Sequence, residues 1–259
     1  MGERTAYTPG TFSWCDLATT DQDAAKRFYS ELFGWTAQDM PVGDGAVYSM
    51  MQIGDRAVAA IATQPEQQSA AGVPPMWQCY VTVESADASA ERAATLGATV
   101  HAPAFDVMEA GRMAVIQDPQ GAFFMLWEPK AHIGASLVNT PGTMTWNELA
   151  SSDIEASIAF YSELFGWTIE RLEGSPMTYY TIQSAAGRGN GGIREPQGPE
   201  PPNWGVYFGC EDVAAAIAKV TELGGSTMAG PMPIGPGTIG VVSDPQGAVF
   251  MLFAGELDD

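Results

Sequence analysis

Basic residues, cysteines and histidines are all scarce in this chain of 259 residues. Lysine and arginine together number 11 against 31 acids, a formal net charge of −20. A field of that sign repels phosphate backbones and anionic bilayers, which excludes nucleic acid and membrane surfaces as partners and disfavours strongly anionic ligands. The three cysteines, Cys15, Cys79 and Cys210, are odd in number and far apart. They form no CxxC pair and no disulfide framework, so reduced thiols inside strands are expected. The only two histidines, His101 and His132, lie in distant segments and cannot make the clustered imidazoles of a common zinc site. No apolar run approaches the ~18 residues that a spanning helix needs. The opening MGERTAYTPG has no hydrophobic region of the kind a secretory signal carries. A cytoplasmic protein, monomeric or homodimeric, is the expectation.

What is present is a repeat. FYSELFGW runs from Phe28 to Trp35 and again, letter for letter, from Phe160 to Trp167. Trp14 and Trp146 share the same offset of 132, as do Tyr48 and Tyr180. DPQGA at 118–122 returns at 244–248. A unit near 130 residues, duplicated in order, is too long for a solenoid repeat and is the size of a domain.

Each half opens with a strand, TFSWCDLAT or TMTWNELAS. A helix follows, with Ala25, Phe28, Tyr29 and Leu32 at helical spacing in the first copy and Ser157, Phe160, Tyr161 and Leu164 in the second. Ser152 with Glu155 fits a capping box at the start of the second helix, and Gly34 and Gly166 stand where a glycine stop belongs. Three strands come next, and the order strand, helix, three strands then repeats within each half. Four βαβββ modules result. GRGNGG at 187–192 has the glycine spacing of a dinucleotide site, but the prolines at 196, 199, 201 and 202 forbid the required helix, so it reads as a hairpin turn.

The pattern D-x-x-x-A-x-x-F-Y-x-x-L-F-G-W, then L-G, then D-P-x-G before a closing strand, resembles the vicinal oxygen chelate superfamily. That group includes glyoxalase I, bleomycin-resistance proteins and extradiol dioxygenases. The resemblance covers nearly the whole chain, twice. It implies an α+β fold of two tandem glyoxalase-like domains, residues 1–130 and 143–259, joined by a linker at 131–142. Each domain would pair two βαβββ modules in a U-shaped mixed sheet, with helices on the convex face and a ligand in the concave cleft.

The resemblance also implies where a divalent metal would sit. In the first half those positions fall on Trp14, Gln78, Met125 and a residue near Ala60. In the second they fall on Trp146, Gly205, Met251 and a residue near Gly192. An indole has no lone pair to give, and a thioether is too soft for hard divalent ions. Only Gln78 could ligate, and weakly. No metal and no cofactor are therefore expected. Strand alternation instead lines the clefts with Phe12, Trp14, Gln78, Tyr80, Met125 and Trp127, and with Trp146, Tyr207, Met251 and Phe253. Such walls suit a small, flat or apolar organic ligand. Asp16 and Glu148, equivalent in the two copies, are the candidate acid–base residues of an alternative, enzymatic reading as a metal-independent isomerase, lyase or hydroxylase. The first cleft keeps more polar groups and is the expected site if only one is used.

Overall fold

A computed structural model describes residues 2–43, 45–175 and 177–256. The first half runs β1 (Phe12–Thr19), α1 (Gln22–Phe33), β2 (Thr36–Pro41), β3 (Val47–Ile53), β4 (Arg56–Thr63), α2 (Glu66–Ala70), β5 (Met76–Thr82), α3 (Ala86–Thr95), β6 (Thr99–Val107), β7 (Gly111–Gln117) and β8 (Phe123–Pro129). The second runs β9 (Met144–Ala150), α4 (Ile154–Phe165), β10 (Thr168–Arg171), β11 (Tyr179–Gln183), β12 (Gly189–Arg194), β13 (Asn203–Gly209), α5 (Val213–Glu222), β14 (Ser226–Ile234), β15 (Gly237–Ser243) and β16 (Val249–Gly255). The four modules are those read from the sequence. The short α2 was not among the expected elements.

Two modules make one eight-stranded sheet, ordered β2-β3-β4-β1-β5-β8-β7-β6, and the second half repeats that order. β1 and β5 meet antiparallel at the centre, while β1 with β4 and β5 with β8 are parallel, so each sheet is mixed. Among the described residues no helix is long and apolar enough to cross a membrane.

Local chemistry sets the helix ends. Asp21 and Asp153 cap α1 and α4, their carboxylates accepting from Ala24 N at 2.9 Å and Ala156 N at 3.0 Å. The second cap is therefore Asp153 and not Ser152, because its carboxylate reaches a first-turn N–H that has no partner within the helix. Gly34 and Gly166 end the helices in the left-handed conformation, φ +72° and +68°.

The repeated octet holds the two halves together. Tyr29, on α1, donates to Asp244 Oδ2 of the second half at 3.2 Å and accepts from Trp77 Nε1 at 3.0 Å. Tyr161, on α4, donates to Asp118 Oδ2 of the first half at 2.9 Å and accepts from Trp204 Nε1 at 2.8 Å. Both aspartates belong to the DPQG turns, whose backbone they also tie: Asp118 Oδ1 accepts from the N–H groups of Gln120, Gly121 and Ala122. Trp35 donates to Gly142 O and Trp167 to Gly10 O, each at 2.7 Å. Phe33 packs on Phe208 at 5.2 Å and Phe165 on Phe124 at 5.9 Å. The GRGNGG segment only begins at the hairpin turn between β11 and β12, and its residues 189–192 belong to β12 itself. Asn190 crosses to the first half, accepting from Phe12 N at 3.0 Å and donating to Gly10 O at 2.9 Å.

Removing either tyrosine hydroxyl strands a buried carboxylate oxygen and a buried indole N–H. Tyr29→Phe and Tyr161→Phe are each expected to lower unfolding free energy by about 1–3 kcal/mol, measured by denaturant titration. Losses within error of zero would show that the crossed pairs contribute no stability.

Candidate functional site

The face of the first sheet away from α1 carries an acid held by two phenols. Asp16 on β1 lies beside Gln78 on β5 and Ala60 on β4. Tyr80 donates to Asp16 Oδ2 at 2.7 Å and Tyr48, on β3, donates to the same oxygen at 3.0 Å. Trp14 Nε1 in turn donates to the Tyr48 hydroxyl at 2.9 Å. Neither phenol engages Oδ1. Burial pushes the Asp16 carboxyl up to about 6, against the pull of the two tyrosine hydrogen bonds. Burial first, and the neighbouring carboxylate second, hold Tyr48 and Tyr80 well above the usual phenol range, so both remain donors.

Met125 stands level with Tyr80 across the β5–β8 ladder, and Trp127 is two residues on. Trp14, Tyr80, Met125 and Trp127 are between 2% and 5% exposed and make up an aromatic and thioether wall on this face, in which the Tyr80 and Trp127 rings meet edge-on at 6.4 Å. The linker joins that wall. Trp127 Nε1 donates to His132 O at 2.9 Å, and the His132 ring stands edge-on to Trp14 at 4.6 Å.

Phe12 is not part of it. Phe12 is level with Val81 but Trp14 is level with Tyr80, so Ser13 is an extra residue in β1 and the alternation reverses there. Phe12 therefore faces the second half, 4.8 Å from Trp204 and 5.6 Å from Trp167. The bulge could not be read from an alternating pattern that continues unbroken through the letters.

The second cleft repeats the layout with a different charge. Trp146 Nε1 donates to Tyr179 OH at 2.9 Å, and burial first, with the Glu148 carboxylate second, holds Tyr179 and Tyr207 well above the usual phenol range. The partner of Tyr48 is thus Tyr179 and not Tyr180, because β11 lies one residue out of the simple offset: Tyr48 is level with Ala62, and Tyr179 with Arg194. Arg194 donates through Nε to Glu148 Oε1 at 2.7 Å and also pairs with Glu200. The first half has Ala62 where the second has Arg194, so among the described residues Glu148 has a cationic partner and Asp16 has none. Met251 is buried and Phe253 half-buried on the same face of β16. Tyr48, Tyr179, Arg194 and His132 are the residues that sequence reasoning did not assign to the site. The duplicated Tyr48 carried a signal, but nothing near Arg194 did.

The positions at which the resembled fold binds a metal do not offer a donor set. The Trp14 and Trp146 indoles donate to tyrosines. A Cβ at Gly205 would collide with the Met251 methyl, and one at Gly192 with the Tyr179 hydroxyl, so both places are already filled. Among the described residues no three His, Cys, Asp or Glu side chains converge as a metal site.

The family model of the Glyoxalase/Bleomycin resistance protein/Dioxygenase superfamily matches residues 11–126 and again 143–252. The chain belongs to that superfamily. Its glyoxalase-like relatives include CFP32 of Mycobacterium tuberculosis, whose name carries a provisional glyoxylase assignment, 44% identical over 96% of this chain and 97% of its own length. The anthracycline biosynthesis protein DnrV of Streptomyces peucetius is 32% identical over 95% of this chain and 94% of its own. Among solved structures, the 2,3-dioxygenase LapB from Pseudomonas sp. KL28 superposes with a TM-score of 0.67 at 16% identity, covering 98% of this chain and 96% of that one. The Mn(II)-bound glyoxalase from Novosphingobium aromaticivorans gives 0.64 at 16% identity, covering 96% and 83%. At such identities these structures share the fold of this superfamily member.

The buried acid makes stability depend on pH. Asp16 holds its proton more tightly folded, at about 6, than at its ordinary value of 3.8. Protonation therefore favours the folded state, and that contribution fades as pH rises from about 4 through 6. Relative to wild type, Asp16→Asn is expected to gain stability across that window, by up to roughly 3 kcal/mol, and to change little above pH 7. A difference in melting temperature that stays constant from pH 4 to 8 would contradict this assignment.

Proposed function

We propose that this chain binds a small, largely apolar or aromatic molecule in its first cleft, without a metal ion, in a sequestering role. The observation that carries the reading is Trp14. It occupies the first-strand position that metal-dependent members use for a ligand, and its indole N–H is committed to the Tyr48–Asp16 network. The surrounding Tyr80, Met125 and Trp127 offer flat and polarisable surface to an aromatic guest. Two relatives are named for anthracycline biosynthesis, and anthracyclines are flat polycyclic aromatics, which is in keeping with such a guest. The first cleft is preferred over the second because its acid is not already neutralised by an arginine.

A second reading is favoured by one specific feature. A carboxyl raised to about 6, with Oδ1 free of both phenols, is poised as a general base or acid at neutral pH. Asp16 would then move a proton on a bound metabolite while Tyr48 and Tyr80 steady its other oxygen.

Elemental analysis of the purified protein separates both readings from a metal enzyme. Zn, Ni, Fe and Mn are expected well below one per chain, and a stoichiometric amount of any of them would overturn the proposal. Tryptophan fluorescence should change on adding polycyclic aromatics, and Trp14→Ala should weaken that binding about tenfold or more. Product formation that Asp16→Asn abolishes would transfer the assignment to the enzymatic reading.

A further inference from the structure

One polar atom in the wall of the first cleft has no partner. His132 Nε2 is buried and makes no hydrogen bond, a condition native structures rarely leave unexplained. The residue is held firmly. Its N–H donates to Ala110 O at 2.9 Å and its carbonyl accepts from Trp127 Nε1 at 2.9 Å. Its ring stands edge-on to Trp14 at 4.6 Å and to Trp127 at 5.9 Å. Both indoles belong to the cleft wall, so the linker brings an imidazole to the same surface as Asp16.

We infer that His132 is a ligand contact of the first cleft, its Nε2 accepting a hydrogen bond from a hydroxyl of a neutral, hydroxylated aromatic molecule lying against Trp14 and Trp127. The inference rests on the reading that an aromatic molecule binds there, and names its polar recognition. The chemistry selects a donor on the ligand. Tyr48 and Tyr80 have their protons turned to Asp16 Oδ2, so beside the Gln78 amide the cleft presents two acceptors, Asp16 Oδ1 and the lone pair of an imidazole. Burial pushes His132 down to about 4, which keeps that lone pair available at neutral pH. The net charge of −20 disfavours a carboxylated ligand but not a neutral phenol. The second cleft differs, since Arg194 already engages its acid.

The test uses 1-naphthol and 1-methoxynaphthalene, which differ in the hydroxyl donor, titrated into the full chain by calorimetry. Imidazole nitrogen resonances are followed in parallel. With two histidines in the chain, His101→Gln assigns the spectrum. Wild type is expected to prefer 1-naphthol at least tenfold, with a shift at His132 Nε2. His132→Phe, which preserves ring packing against the indoles, should bind both probes alike, and His132→Gln should recover part of the preference. A tenfold preference that survives in His132→Phe, or saturation by 1-naphthol without movement of the His132 signal, would overturn the inference. Equal binding of both probes to wild type would overturn it too, while leaving the aromatic-cleft reading intact. Binding of neither probe would bring down that reading and this inference with it.

Discussion

The crossed pairing of a tyrosine in one half with an aspartate in the other is the constraint on which the rest of the molecule depends. Tyr29 reaches Asp244, and Tyr161 reaches Asp118, each while accepting from a tryptophan of its own sheet. Every group in these clusters is buried, and every polar atom named there has a partner, so the two sheets are locked in one relative placement. The same aspartates organise the turns that launch β8 and β16. A shift of the interface would therefore disturb the strands that carry Met125, Trp127, Met251 and Phe253.

That lock leaves the opposite faces free to diverge, and they have. The layout of tryptophan, tyrosine and acid is common to both clefts, yet the environments of the acids differ in kind. Asp16 is a buried carboxyl with two phenol donors on one oxygen, and burial raises its affinity for a proton against the pull of those donors. Glu148 meets Arg194, itself tied to Glu200. The acids differ, aspartate against glutamate, and Ala62 stands where the second half has Arg194, which holds Glu148 in an ion pair.

The places that metal-dependent relatives of this fold give to ligands are not vacant in this chain. Indoles, a methionine and the ring of a tyrosine fill them, and the glycines at 192 and 205 have no side chain because those neighbours take the room.

Most of the architecture was legible in the letters. An octet spelled twice, two DPQG turns and glycine stops after the long helices carry the duplication and the modules, because these are periodic and local signals; the order of strands in each sheet came from the structure. The identity of the residues at the ligand positions was legible too, since counting from a repeated landmark needs no coordinates. What only the tertiary structure decided are relations between distant segments. A bulge at Ser13 turned Phe12 from the cleft to the interface, a one-residue slip in β11 exchanged Tyr180 for Tyr179, and a linker histidine came to rest on two cleft tryptophans. Alternation along a strand says which side chains share a face only while the register holds, and register is set by packing against partners that lie tens of residues away.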